Sequence, residues 1–179
     1  MKKQLKLEGF STPTSNRTHG GDQKNPQKTK RPLALRSRNH FVLRSTHAKG
    51  AWSFRRHRFE IAQILRHFAR KHSIGLTSYA NVGNHIHLSL EISTRRQYQK
   101  FIRAISAAIM MRVTGFSRWN KAPQDFHFWD QRPFSRALTS WKEAVTLDRY
   151  FELNRWEAAG VARSEARLWL NLMWAYQGP

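Results

Sequence analysis

One eight-residue stretch constrains the architecture of this chain more than any other. In His85-Ile86-His87-Leu88-Ser89-Leu90-Glu91-Ile92 every second residue is apolar and every intervening one is polar. Side chains on a β-strand alternate between the two faces of a sheet, so this pattern specifies a strand with one dry face and one polar face. The dry face needs helices to cover it. Helical periodicity supplies them on both sides in sequence. Ile61, Ile64, Leu65, Phe68 and Ala69 recur at helical spacing, as do Tyr98, Phe101, Ile102, Ile105, Ala108 and Ile109 before Gly115. His40–Arg44 and 74–80 read as further strands, and Val82-Gly83-Asn84 is a turn joining the second strand to 85–92, so those two pair antiparallel. Phe126–Trp129 and Phe134–Leu138 read as extended segments around a Gln131-Arg132-Pro133 bend. Ser140 is a helix N-cap, with Glu143 at the capping-box position of a helix reaching about Glu157. A short closing helix covers 164–175. The order strand, helix, strand, strand, helix, strand, helix predicts an α+β fold: a ferredoxin-like antiparallel sheet with helices on one face. The polar face of 85–92 is then expected to be open.

Charge narrows the partner. The chain has 179 residues and a formal net charge of +21. Such an excess favours nucleic acid, with an anionic membrane surface second. Residues 1–31 hold eight Lys and Arg against two acids, with little apolar content after Phe10, and read as a disordered basic arm. The remainder, 32–179, reads as one domain and is basic in its own right. No run of about 18 apolar residues suggests a membrane span, and the N-terminus lacks the apolar core of a secretory signal. The expected location is cytoplasmic and nucleoid-associated. There is no Cys, which removes disulfides and thiol catalysis.

The polar strand face carries the first candidate chemistry. His85 and His87 are two residues apart, about 6.6 Å along a strand, and their imidazoles can converge on one ion. Without Cys the set is incomplete for structural zinc. It suits Mg²⁺ or Mn²⁺, with a phosphate and other oxygens completing the shell. A second candidate lies on the helix after Ser140. Tyr150 and Asn154 are four residues apart and share a face. From spacing alone they are either an ordinary surface pair or a nucleophile beside a carboxamide.

The set Asn84-His85-Ile86-His87-Leu88, a long helix, Phe128-Trp129-Asp130-Gln131-Arg132-Pro133-Phe134, and Arg149-Tyr150-Phe151-Glu152-Leu153-Asn154 with Gly160 downstream resembles the REP-associated tyrosine transposases. These are single-tyrosine HUH transposases related to small bacterial insertion sequences. The resemblance covers roughly 33–160. It implies an HUH-type fold and a DNA transposase that cleaves and rejoins single-stranded or hairpin DNA through a 5′-phosphotyrosine. It makes Tyr150 the nucleophile, His85 and His87 the ligands of the divalent metal, and Asn154 a third ligand or an orienting group beside it. Arg44, Arg132, Arg136 and Arg149 are expected to contact DNA, and Phe128, Trp129 or Phe134 to stack on bases or pack in the core. The chain is expected to act as a monomer or a homodimer. A domesticated DNA- or RNA-binding protein whose catalysis has been lost is the alternative. Two positions depart from the family pattern: Val82-Gly83 stands where Met-Pro is common, and Arg155 where Pro commonly follows the helix Asn.

Overall fold

A computed structural model describes residues 18–19 and 31–176. The strands are β1 (Thr18–His19), β2 (Arg38–Arg44), β3 (Gly75–Asn81), β4 (His85–Glu91) and β5 (Phe134–Ala137). The α-helices are α1 (Arg58–Lys71), α2 (Arg95–Thr114), α3 (Trp141–Ala158) and α4 (Arg163–Tyr176). The five strands form one antiparallel sheet in the order β1-β5-β2-β4-β3. Without the two-residue β1, this is the ferredoxin-like order that the alternation and helix spacing predict.

The apolar face of β4 behaves as expected. Ile86, Leu88 and Leu90 are fully buried, and Phe41 and Leu43 on β2 pair alongside them. Ile61 and Leu65 of α1, with Phe101, Ile105 and Ile109 of α2, close the same core. Burial of each such side chain contributes about 1.5–3 kcal/mol. Tyr98 belongs to this core, stacked on Phe41 at 4.9 Å. The termini of α2 are set locally. Thr94 and Gln97 form a capping box, and Gly115 ends the helix at φ 74°, a left-handed conformation that favours glycine.

Two expectations need correction. The polar face of β4 is not open, because α3 crosses it. Leu147 and Phe151 of α3 are buried in a second cluster with Ala80 of β3 and Leu138. A bidentate ion pair from Arg38 to Asp148, at 2.8 and 2.6 Å, fastens the middle of α3 to the sheet. Helices therefore lie on both faces. Residues 126–129 form no strand: Phe128 is buried in the main core, and Trp129 packs against it while donating to the Ser106 carbonyl at 3.1 Å. These rings are committed to packing, and Phe134 sits edge-on to His40. Most of the expected arm lies outside the described residues; Thr18–His19 add a short strand to the sheet, and the Arg31 side chain bonds near the start of β5. Thr18 and His19 pair with Arg136 and Ser135. Arg31 donates to the Pro133 carbonyl and to Ser135 Oγ at 2.6 and 2.7 Å. No helix among the described residues is long and apolar enough to cross a membrane.

Candidate active site

The register of the sheet decides which side chains meet under α3. His40 on β2 pairs with Ser89, Val42 with His87 and Arg44 with His85, so all of them share the face that α3 covers. His85 and His87 converge as the strand spacing predicts: their rings stand 4.8 Å apart and nearly perpendicular. Tyr150 descends from α3 onto this pair. Its ring lies edge-on to His87 at 5.2 Å, and its hydroxyl is 3.5 Å from His87 Nε2. That separation is at the outer limit of a hydrogen bond, so the phenol is held in place but not strongly bonded. Asn154, one turn further along, is buried and donates from Nδ2 to the Tyr150 carbonyl at 2.7 Å.

His40 was not singled out by the sequence, yet it belongs to this site. His40 Nε2 and His87 Nδ1 are 3.1 Å apart and both rings are buried. Phe134 and Phe151 close around His40 edge-on. On the other side of the pair, His85 Nδ1 is 2.7 Å from Asn84 Oδ1. An amide oxygen only accepts, so this bond places the His85 proton on Nδ1 and the lone pair on Nε2.

Burial keeps these imidazoles neutral. Desolvation, with Arg136 nearby, lowers His40 to about 3. His87 falls well below the ordinary value, first by burial and then by its two histidine neighbours. His85 is lowered by burial and by Arg44. Burial raises the Tyr150 phenol, and a hydrogen bond from Asn154 offsets part of that rise. Neutral histidines have a cost in acid. Below pH 6.5 the unfolded chain takes up protons that the folded chain refuses, so stability is lost as pH falls from 6.5 toward 3. His40 alone removes about 2 kcal/mol by pH 5, and His87 acts in the same direction. The urea midpoint is expected to hold from pH 8 to 7 and to drop between 6.5 and 5; a midpoint flat over that range would contradict it.

The donor set fits a divalent cation in a limited way. Among the described residues no group of three or more His, Cys, Asp or Glu is arranged to hold a metal. What exists is two neutral imidazoles, with a carboxamide and a phenol on the neighbouring helix. That set matches an ion whose remaining positions are taken by oxygens of a phosphate and water.

The arginines divide. Arg132 and Arg149 are exposed, with Arg149 over the Trp174 ring at 4.6 Å. Arg44 is half-exposed and 3.4 Å from Asp130. Arg136, expected to face DNA, is buried and paired with Glu143 at 3.0 Å, because β5 turns it under α3. Glu143 also accepts from the Thr139 backbone N–H, so its carboxylate serves Thr139 and Arg136, while Ser140 caps the helix through Glu143 N.

Comparison with known proteins places the fold and the family. No curated protein matches the chain. Among solved structures, a REP-associated tyrosine transposase bound to a REP hairpin superposes with a TM-score of 0.56 at 12% identity, over 72% of each chain. A provisionally named transposase from Deinococcus radiodurans R1 gives 0.44 at 15% identity, over 72% of this chain and 98% of that one. The first establishes a shared fold. The family model described as IS200-like transposase matches residues 35–154, from the strand that carries His40 through Asn154 itself, and the chain belongs to that family.

Proposed function

We propose that this transposase is a DNA strand transferase that cleaves single-stranded or hairpin DNA with Tyr150 as its nucleophile. The observation that carries the reading is the Tyr150 hydroxyl resting 3.5 Å from His87 Nε2, beside a second imidazole, on helix and strand 63 residues apart. The relative solved with a REP hairpin supports DNA as the substrate class.

The chemistry balances without an outside energy source. Tyr150 Oη attacks the phosphorus, the P–Oη bond forms, and the bond from phosphorus to the 3′ oxygen breaks. That oxygen takes a proton and leaves as a 3′-hydroxyl, while the 5′ side stays on the enzyme as a phosphotyrosine. Reversal by a 3′-hydroxyl rejoins a strand, since the ester linkage is conserved. An ordinary phenol is only about 0.1% ionised at pH 7, and burial of Tyr150 reduces that further. Mg²⁺ or Mn²⁺, when bound, would polarise the scissile phosphate and stabilise the charge that develops on its oxygens. His85 and His87 would hold it through Nε2, with Asn154 Oδ1 as a third donor.

The neighbours prepare those atoms. Asn84 keeps the His85 proton on Nδ1. His40 offers Nε2 to the Nδ1–H of His87 and so frees the opposite lone pair. The lone pair on His87 Nε2 serves one partner at a time, so in the ligating state the Tyr150 proton leaves by the half-exposed side of the ring.

The test is a single-stranded oligonucleotide incubated with protein and Mn²⁺, then resolved on a denaturing gel. A band carrying both protein and DNA is expected, and excess EDTA should remove it. A protein that only binds DNA would retard the oligonucleotide in a native gel and give no band that survives denaturation.

A further inference from the structure

A groove of about 520 Å³ lies along β3, the edge strand on the side of the sheet away from β5. Leu76 and Tyr79 of β3 line it, Arg66 and Arg70 reach in from α1, and Arg155 from α3. No carboxylate lines it. Arg66 and Arg70 are exposed, lie one turn apart on α1 and form no ion pair among the described residues. Two like charges at that spacing repel, and among the described residues no carboxylate pairs with them. Arg155 pairs with Glu152 and also donates from Nε to the Tyr79 carbonyl at 3.3 Å, which pins it at the rim. This is the residue that stands where Pro is common in the family.

The groove runs on the α1 side of the β3 edge, with Tyr79 facing the main core and Arg155 reaching round the edge from α3, the helix that carries Tyr150 and Asn154. Arg155 directly follows Asn154, and Ala80, next to Tyr79, is the cross-strand partner of His87. From Ile74 to Ala80 the edge runs for about 20 Å. Guanidinium groups spaced along a strip with a partly exposed ring suit a flexible polyanion carrying flat bases, since phosphates meet the charges and any base can lie on the ring. A duplex would present its bases to neither.

We propose that this groove binds the single-stranded DNA flanking the scissile phosphate, with backbone phosphates on Arg66 and Arg70 and a base against Tyr79. The inference rests on the strand-transfer reading for the role of the strand, but its test is binding alone. Affinity for dT20 is measured by fluorescence anisotropy across a NaCl series, in EDTA, with the full chain. Arg66→Gln/Arg70→Gln is expected to flatten the slope of log K against log salt by about 1.4, two phosphate contacts at about 0.7 each, and to weaken binding about tenfold at 0.1 M. Arg96→Gln/Arg103→Gln, an equal charge change at exposed sites on α2, is expected to change the slope by less than half as much. Photo-crosslinking with bromodeoxyuridine in the same oligonucleotide should label the peptide holding Tyr79. Equal slopes for the two double variants, or crosslinks confined to other peptides, would overturn the groove. A Tyr150 adduct with unaltered binding by Arg66→Gln/Arg70→Gln refutes the groove only; groove-dependent binding with no adduct in Mn²⁺ refutes strand transfer only.

Discussion

Tyr150→Phe is expected to eliminate the covalent protein–DNA product, by a factor on the order of 10⁴ or more, while leaving DNA binding within about twofold. The ring is what α3 packs: it sits edge-on to His87 and beside Phe151, and Phe keeps those contacts. The hydroxyl makes only the long 3.5 Å approach to His87, so its loss leaves no strongly bonded group without a partner. What disappears is the one oxygen in the cluster able to form a phosphoester. Tyr79 and Tyr98 do not substitute. Tyr98 is buried in the opposite core, with its phenol raised to about 12, and Tyr79 packs against that same core, across the sheet from the histidines. Asn154→Ala should be milder, a ten- to hundredfold loss, because it removes an orienting amide and leaves nucleophile and imidazoles in place. The order is wild type, then Asn154→Ala, then Tyr150→Phe. Mass spectrometry of a trapped adduct checks it: a nucleotide on another residue, or product from Tyr150→Phe, refutes the assignment.

The second large effect separates two histidines that the sequence presents as equivalent. His85→Ala and His87→Ala should each weaken Mn²⁺ binding at least tenfold and reduce adduct formation below detection. Their stabilities should differ. His85 is partly exposed and makes one bond to Asn84, so its loss is expected to cost less than about 1 kcal/mol. His87 is buried between His40, Tyr150 and Phe151. Its removal opens a cavity and leaves His40 Nε2 without a partner, a loss of about 2–4 kcal/mol. Calorimetric Mn²⁺ titration beside urea unfolding reads both quantities. Equal stability for the two variants would show that α3 does not seal the strand face as described.

This difference marks what local pattern conveys and what it does not. The alternation of 85–92 and the periodicity of α1 and α2 are contained within single elements, and they specify the sheet and its helical cover. The convergence of His85 and His87 follows from the same two-residue period. His40 was invisible because its partner is 47 residues away and reaches it only through the β2–β4 register. The path of α3 was hidden for another reason. It buries Leu147 and Phe151 against the sheet but Leu153 against α4, so its apolar residues divide between two neighbours and form no single stripe. With α3 left off the polar face, that face looked open, and Arg136 beneath it looked available to DNA.

The link between β5 and α3 has a kinetic meaning. Residues 138–140 are all that join Ala137 to Trp141, so the helix enters at a short tether, of roughly 14 Å at full stretch, and is then clamped to its own sheet through Asp148. In this structure phenol and imidazoles come from one polypeptide. If strand transfer proceeds from this arrangement, the rate per molecule is expected to stay constant on dilution and a Tyr150→Phe copy to remove only its own share of the adduct from a mixed population; a rate that falls on dilution would show that a second copy supplies part of the site.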